Sequence, residues 1–228
     1  MCGRFDRHRP VAEFGDVING LDFSDDDPVA PSYNVAPSQR AAVACRTDAG
    51  VRLLDLTWGL VPTWLKREGF SKPINARAET LADKPMFRDA FRKTRCLVLC
   101  DGYYEWRSEK TGVKQPYYIT TADGNPFVMA GIWAQNANFD QTVIQSFCVI
   151  TTEANDSCRE VHHRMPLILE NKNHKEWLSS GRLDADTVAA MLQPSCQEMK
   201  LKPVSRYVNA PANNGPQCIA SFQDQETV

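Results

Sequence analysis

Residues 96–107 read CLVLCDGYYEWR, and this stretch decides the fold class. It holds an apolar run, a turn signal at Asp101-Gly102 and a second run with alternating side chains, so it predicts two strands joined by a tight turn. The pattern continues along the chain, with turn signals at Thr111-Gly112 and Asp123-Gly124. Further strands are predicted at residues 117–121, 127–133 and 143–151.

Helical patterns lie on either side of these strands. They are predicted at residues 10–19, 80–93 (with Thr80 as the N-cap), 173–179 and 184–192. Other strand patterns fall within residues 28–44, 51–60 and 201–208. This order predicts an α+β fold with a curled, mainly antiparallel, barrel-like sheet flanked by helices. No linker is visible, so we expect one domain over residues 1–228, with its motifs in about the first 210 and a short C-terminal tail.

The composition is that of an ordinary globular chain. Of 228 residues, 43% are apolar and 24% are charged, and the formal charge is −2. These values exclude collagen, coiled coil and wholesale disorder. No segment has the ~20 apolar residues that a membrane helix needs, and we find no export signal. The eight cysteines include no Cys-x-x-Cys pair, so we expect a reducing cytoplasm and no structural metal. We also expect a monomer that uses no cofactor.

One part of the chain is basic although the whole is not. Residues 66–95 contain nine basic and four acidic residues. Such a surface suits an anionic ligand, and phosphate backbones are the commonest one. A solvated helix face would explain the same charges. The Walker, Gly-x-Gly-x-x-Gly, His-Glu-x-x-His and Gly-x-Ser-x-Gly signatures are absent.

The second residue is a cysteine that becomes the first once Met1 is removed. An N-terminal cysteine carries an amine and a thiol on adjacent carbons, and both react near neutral pH. With an aldehyde, the amine forms an imine and the thiol closes a thiazolidine ring; with an amide or ester, the thiol accepts the acyl group. Position alone fits equally well a small buried residue at the start of a strand.

Three other groups could carry chemistry. Glu105 lies among aromatic residues, and carboxylates in apolar surroundings move protons near neutrality, although an exposed strand face is an equal alternative. His162 and His163 are adjacent and should point apart, so one of them at most faces a site; a lone histidine is more often structural. Asn75 and Arg77 should point the same way in an extended segment, where the Arg77 fork suits phosphate.

Six motifs of this sequence occur together, in this order, in the SRAP (SOS response-associated peptidase) family. They are MCGR at 1–4, YNVAP at 33–37, WGLVPTW at 58–64, INARAET at 74–80, DGYYEW at 101–106 and HHRMP at 162–166. The chain therefore resembles an SRAP protein over nearly its whole length.

The resemblance implies a protein that links itself covalently to abasic sites in single-stranded DNA and removes its own Met1. It implies that Cys2 is the nucleophile, that Asn75 positions Cys2 and the sugar, and that Glu105 and His162 handle protons. It also implies six DNA contacts: phosphate contacts from Arg4, Arg77 and Arg164, and a groove lined by Pro37, Trp64 and Thr151. In a bacterial cell we expect it on the nucleoid.

Three positions depart from the patterns of some relatives. Leu65 stands where a second tryptophan follows Trp64, His163 stands where others carry aspartate, and Lys202 replaces a histidine. The first change favours weaker or more one-sided stacking on a displaced base. None of the three is one of the four chemical residues.

Two other functions stay open from the sequence. An N-terminal-nucleophile glutamine amidotransferase also begins Met-Cys-Gly, but Arg4 replaces its usual small apolar residue and its glutamine-binding motif is missing. A non-catalytic single-strand-binding module explains the basic segment and the aromatic residues. It leaves Asn75, Glu105 and His162 without a role.

Overall fold

The computed structural model describes residues 2–15, 18, 28–67, 69–110, 112–139 and 142–222. Within them the chain forms twelve strands and four short α-helices. The strands are β1 (Phe5–Arg7), β2 (Ser32–Val35), β3 (Arg40–Thr47), β4 (Gly50–Trp58), β5 (Asn75–Arg77), β6 (Arg95–Cys100), β7 (Gly102–Ser108), β8 (Lys114–Thr121), β9 (Phe127–Phe139), β10 (Thr142–Glu153), β11 (Arg164–Pro166) and β12 (Met199–Pro203). The helices are α1 (Arg88–Lys93), α2 (Asp156–Arg159), α3 (Asn171–Trp177) and α4 (Ala185–Met191).

Five strands close into a barrel in the order β4-β3-β6-β9-β10. Four of the five contacts around the ring are antiparallel, and the barrel closes where β10 pairs in parallel with β4. The short strands β5 and β11 also pair with β10. The expected curled, mainly antiparallel α+β fold is confirmed.

A second, antiparallel sheet has the order β12-β8-β7-β1-β2. It packs on one face of the barrel strands, and helices cover the other face. Strand β6 shows this division: Cys96 and Val98 join a core shared with the second sheet, whereas Leu97 packs with Phe91 of α1 and Trp177 of α3. Because β6 is buried on both faces, its sequence is continuously apolar and does not alternate with polar residues.

The prediction of one helix over residues 80–93, capped by Thr80, is wrong. A 3₁₀ helix spans Ala78–Thr80, turns follow, and α1 begins only at Arg88. The reason is Pro85, which has no N–H for a helical hydrogen bond and disfavours helical backbone at the residue before it. The helices predicted at 173–179 and 184–192 form as α3 and α4, within two residues of their expected starts. Asp184 caps α4 by accepting from the Thr187 amide.

Two other boundaries differ from expectation. The last strand ends at Pro203, because Ser205 then caps a 3₁₀ helix over Arg206–Asn209. At the other end of the chain, only Val11–Phe14 of the predicted helix 10–19 is seen, as a 3₁₀ helix. Residues 16, 17 and 19 lie outside the described residues. No helix in the described part of the chain is long and apolar enough to cross a membrane.

Candidate active site

The N-terminal segment runs along the edge of β7. Strand β1 pairs antiparallel with β7, and the Tyr104 amide donates a hydrogen bond to the Arg4 carbonyl at 2.9 Å. Continuing this register places Glu105 opposite Gly3. Cys2, which precedes Gly3, is therefore brought beside Glu105, and it is fully buried where the two sheets meet.

Asn75 holds the backbone of Cys2. It begins β5, which lies parallel to β10 with Asn75 in register with Val149. The Asn75 Nδ2 donates to the Cys2 carbonyl oxygen at 2.7 Å. Its Oδ1 is buried and has no hydrogen-bond partner among the described residues. Asn75 thus orients Cys2 and offers an unused acceptor next to it.

The surroundings of Cys2 keep its thiol protonated. Burial raises the pKa of Cys2, and the negative charge of Glu105 raises it further, while a hydrogen bond from the Arg4 amide acts in the opposite direction. A thiol in this environment needs a nearby base before its sulfur becomes nucleophilic. The burial of Cys2 is expected both for a small core residue and for an N-terminal nucleophile held out of solvent.

Glu105 supplies a carboxylate at this point. It is 4% exposed, so the alternative that it lies on an exposed strand face is wrong. Alternation along β7 is as expected, with Tyr103 in the core around Cys2 and Tyr104 packed on the opposite side. The charge of Glu105 acts on both Cys2 and His162. Glu105 therefore lies near both Cys2 and His162.

His162 follows α2, in a turn that brings its ring toward Glu105. Burial lowers the pKa of His162, and the charge of Glu105 acts against that effect. The His162 Nδ1 accepts from the Arg164 amide at 2.9 Å, which assigns the proton of the neutral ring to Nε2. The lowered pKa favours the neutral imidazole over the imidazolium near physiological pH.

The two adjacent histidine rings do not point apart. They stack with centroids 4.4 Å apart and planes 24° from parallel, so that expectation is wrong. The reason is that residues 160–163 form a turn and a bend, not extended backbone in which neighbouring side chains alternate. His163 is exposed and covers one face of His162.

Glu105 and His162 line an open pocket of about 500 Å³. Its lining residues are Gly3, Arg4, Glu105, Trp106, Lys114, His162 and Asn209. A small electrophile in this pocket would meet the N-terminal segment, a carboxylate and an imidazole together. This arrangement suits proton transfer during attack by an N-terminal nucleophile.

The comparisons with known proteins agree with this geometry. A family model described as SOS response associated peptidase (SRAP) matches residues 1–211. The chain belongs to the SRAP family. Abasic site processing protein YoqW of Bacillus subtilis is 38% identical over 226 residues, which cover 97% of this chain and 100% of YoqW. Abasic site processing protein YedK of Escherichia coli is 31% identical over 228 residues, which cover 96% and 99%.

A solved structure supports the SRAP fold assignment. The crystal structure of a protein from Bacteroides thetaiotaomicron matches with a TM-score of 0.82 and 27% identity, covering 96% of this chain and 99% of that chain. The family resemblance of the six sequence motifs is thereby confirmed, together with the fold class.

The three arginines expected on phosphate are placed differently in this SRAP chain. Arg77 is exposed. Arg4 is 8% exposed, and its Nη1 donates to Asn34 Oδ1 at 2.8 Å and to the Val208 carbonyl at 2.7 Å. Arg164 is 9% exposed and bound to other protein groups. Phosphate contact by each arginine stays a prediction, and Arg77 is the most accessible of the three.

The three groove residues also differ in exposure. Pro37 is exposed, and Trp64 is 45% exposed in the loop that follows β4. Thr151 is fully buried, and its carbonyl accepts from Arg164 Nη2 at 2.6 Å. Thr151 therefore holds Arg164 and is not itself accessible from the surface. Leu65 is buried and leaves Trp64 as the exposed ring.

Asn34 is a site residue that the sequence analysis missed. Its Nδ2 donates to the carbonyls of Ala210 at 3.1 Å and Asn213 at 2.7 Å, while its Oδ1 accepts from Arg4. Asn34 therefore ties the segment that carries Cys2 to the C-terminal part of the SRAP domain. The motif at 33–37 was the available signal, but a motif does not reveal which distant carbonyls an amide will meet.

One cluster in the described part of the chain has ligand atoms close enough for a metal: Asp6, His8 and Asp101. His8 Nδ1 lies 2.9 Å from Asp6 Oδ2 and 3.6 Å from Asp101 Oδ2. The hydrogen bond to Asp6 raises the pKa of His8. Tyr118 also donates to Asp6 at 2.6 Å. Hydrogen bonds thus join Asp6 to both His8 and Tyr118, and the His8 amide also donates to Asp101.

Proposed function

We propose that this chain captures abasic sites in single-stranded DNA by forming a thiazolidine between Cys2 and the ring-opened sugar. The convergence of Cys2, Asn75, Glu105 and His162, of which Glu105 and His162 line one open pocket, carries this proposal. Its relatives YoqW and YedK are named abasic site processing proteins, which supports the same substrate.

The chemistry follows from the two nucleophiles of an N-terminal cysteine. The amine attacks the aldehyde carbon C1′, and loss of one water from the carbinolamine gives an imine. The thiol then adds across the C=N bond: an S–C bond forms, and the thiol proton ends on nitrogen. The adduct has the mass of both reactants less one water. Ring closure also removes the imine, from which β-elimination would cut the strand.

Each neighbour of Cys2 has a step to assist. Asn75 holds the Cys2 carbonyl, and its unused Oδ1 can accept from the amine or a sugar hydroxyl. Glu105 takes a proton from the amine, delivers it to the departing water and receives the thiol proton on closure. In its protonated form His162 donates from Nε2 to the ring oxygen while the C1′ hydroxyl proton passes to water, which opens the sugar to its aldehyde. The raised pKa of the Cys2 thiol makes amine attack the first step.

The proposal requires that Met1 is removed, because a peptide nitrogen cannot form an imine. We propose that the chain removes Met1 itself, with the Cys2 thiol as the acyl-transfer nucleophile. We also propose that, beside crosslinking, it has a lyase-type activity on abasic sites. Met1 lies outside the described residues.

We further propose that residues 1–228 act as one domain and as a monomer, in the cytoplasm and on the nucleoid of a bacterial cell.

A crosslinking assay tests the function. Purified protein lacking Met1 is mixed with a single-stranded oligonucleotide containing one abasic site, and products are separated under denaturing conditions. We expect a slow-migrating band with the wild type, and none with Cys2→Ala or with an intact oligonucleotide. Release of ammonia from glutamine without any DNA adduct would instead support the amidotransferase alternative. Binding without an adduct would support the non-catalytic alternative.

A further inference from the structure

Arg164 and Glu79 form a two-pronged ion pair. The Arg164 Nη1 lies 2.6 Å from Glu79 Oε1, and its Nη2 lies 3.0 Å from Glu79 Oε2. The planar guanidinium fork is thus filled by a carboxylate in the geometry with which arginine also binds phosphate. A phosphate cannot use this fork while Glu79 holds it.

The two partners are not equally fixed. The Arg164 side chain is 10% exposed and is also held by the Thr151 carbonyl at 2.6 Å. The Glu79 side chain is 47% exposed and projects from the short 3₁₀ helix Ala78–Thr80. The arginine therefore stays in position if the pair opens, whereas the carboxylate can turn into solvent.

Glu79 also interacts with a second cation. Its hydrogen bond to Arg164 lowers the pKa of Glu79, and the charge of Arg77 contributes to the shift. Arg77 pairs in register with Thr151, the residue that holds Arg164. One carboxylate thus partly neutralises the two arginines expected on phosphate in this part of the surface.

We propose that Glu79 is an internal competitor for the DNA backbone, and that a phosphate binds Arg164 by displacing it. This inference rests on the proposed function, because it requires single-stranded DNA to bind at Arg77 and Arg164. It adds a role for Glu79 that lowers the affinity for undamaged strands. Stable retention then depends on covalent capture by Cys2.

The exchange has a signature in the salt dependence. A phosphate that meets a free arginine releases a counterion from the DNA, which gives a log–log slope of about −0.7 per contact for single strands. If the phosphate instead displaces Glu79, the freed carboxylate acquires a cation from solution. The two effects offset each other, so the Arg164 contact adds almost nothing to the slope of the wild type.

The test compares Glu79→Gln with Glu153→Gln. Glu153 is exposed, lies in register with Arg164 across β10 and β11, and shares a surface pocket with Glu79, so it provides the same charge change outside the fork. The probe is an undamaged, fluorescently labelled single-stranded oligonucleotide, and anisotropy gives Kd between about 50 and 300 mM salt. Thermal melts verify folding, and Glu79→Asp, which keeps the charge but shortens the reach, is the second variant.

We expect Glu79→Gln to bind about two- to fivefold more tightly than the wild type near 0.1 M salt. The log–log salt slope of Glu79→Gln should be steeper by about 0.7. When Arg164→Ala is added to Glu79→Gln, both the tighter binding and the steeper slope should disappear. Glu79→Asp should change affinity in the same direction, and Glu153→Gln should change slope and affinity less. Equal effects of Glu79→Gln and Glu153→Gln, or weaker binding by both Glu79 variants, would overturn the inference. Absence of a covalent adduct when the same wild-type protein is mixed with an abasic single-stranded oligonucleotide would instead overturn the proposed function.

Discussion

At the level of single residues, burial and one charge set the roles around Cys2. Burial raises the pKa of the Cys2 thiol and lowers that of His162. Both groups are thus neutral near physiological pH. Glu105 is the carboxylate whose charge acts on both, so it is the base best placed for the chemistry. Replacing each residue should affect a different step.

We expect Cys2→Ser to leave the imine but remove the ring closure. In Cys2→Ser protein prepared without Met1, the amine can still condense with the aldehyde, whereas no sulfur is present to form the thiazolidine. The adduct should appear slowly, disappear on denaturation and become permanent after borohydride reduction. A Cys2→Ser adduct as durable as the wild-type one without reduction would contradict the assigned role of the sulfur.

Glu105→Gln should slow adduct formation by about 10²-fold or more, the usual contribution of a positioned acid or base. The amide keeps the shape but cannot accept the proton, so DNA affinity should change little. Initial rates and Kd are measured separately, and Glu109→Gln, on the exposed end of the same hairpin, is the control. A wild-type rate in Glu105→Gln would remove Glu105 from the mechanism.

His162 should give the reaction a pH dependence. Burial depresses its pKa below the ordinary value of about 6.5, so the imidazolium forms only below that pH. The rate on closed-ring sugar should therefore fall as pH rises through a step below about 6.5, and His162→Ala should lose this step. A pre-opened substrate is the control. Equal impairment of His162→Ala on both substrates would contradict a role in ring opening.

At the level of elements, the short strand β1 depends on contacts far away in sequence. Arg4 and Asn34 connect it to the carbonyls around the 3₁₀ helix Arg206–Asn209. The bond from Arg4 is buried and that from Asn34 is partly buried, and a buried polar group left without its partner costs about 1–3 kcal/mol. The position of Cys2 therefore depends on the C-terminal part of the chain.

Asn34→Ala should lower the free energy of unfolding by about 2–3 kcal/mol, because it leaves Arg4 and several carbonyls short of partners. Urea denaturation measures the change. Asn209→Ala, which removes a bond from Trp106 at the surface, should cost under about 1 kcal/mol. The crosslinking rate of Asn34→Ala should fall as well. Similar losses of unfolding free energy in the two variants would show that the hydrogen bonds of Asn34 stabilise the fold no more than a surface hydrogen bond does.

The elements also show what sequence patterns predict and what they miss. The long strands β6 to β10 were predictable because apolar runs and Asp-Gly or Thr-Gly turns repeat along the chain. The three-residue strands β1, β5 and β11 were not, because a periodic pattern cannot be recognised over so few residues. Asn75 and His162 were predicted as site residues by family motifs. The pairing of Arg164 with the half-exposed Glu79 depends on tertiary contacts that no local pattern encodes.

At the level of the whole molecule, a formal charge of −2 coexists with a basic segment at residues 66–95. Association with DNA should therefore depend on a local field, which salt screens. Arg77 is the exposed arginine of β5, next to Asn75 in the strand that holds Cys2. A strand bound at Arg77 would bring its sugars close to the pocket.

Arg77→Ala should weaken binding to single strands of any sequence and make the log–log salt slope shallower by about 0.7. The reason is that arginine recognises the backbone and not base edges. Lys172→Ala on α3, where Lys172 is exposed and paired with Glu170, is the matched charge control. A base preference lost in Arg77→Ala, or a slope equal to that of the wild type, would contradict a phosphate contact.

The most direct test of covalent capture is the intact mass of the adduct. Protein that begins at Cys2 is incubated with an abasic single-stranded oligonucleotide, denatured without reduction and analysed by mass spectrometry. We predict a species with the summed masses of the two reactants less one water, and a peptide map that places the modification on Cys2. Protein that retains Met1, analysed in parallel, should give none. A durable adduct that maps to another residue, or no adduct from protein that binds the oligonucleotide, would contradict capture at Cys2.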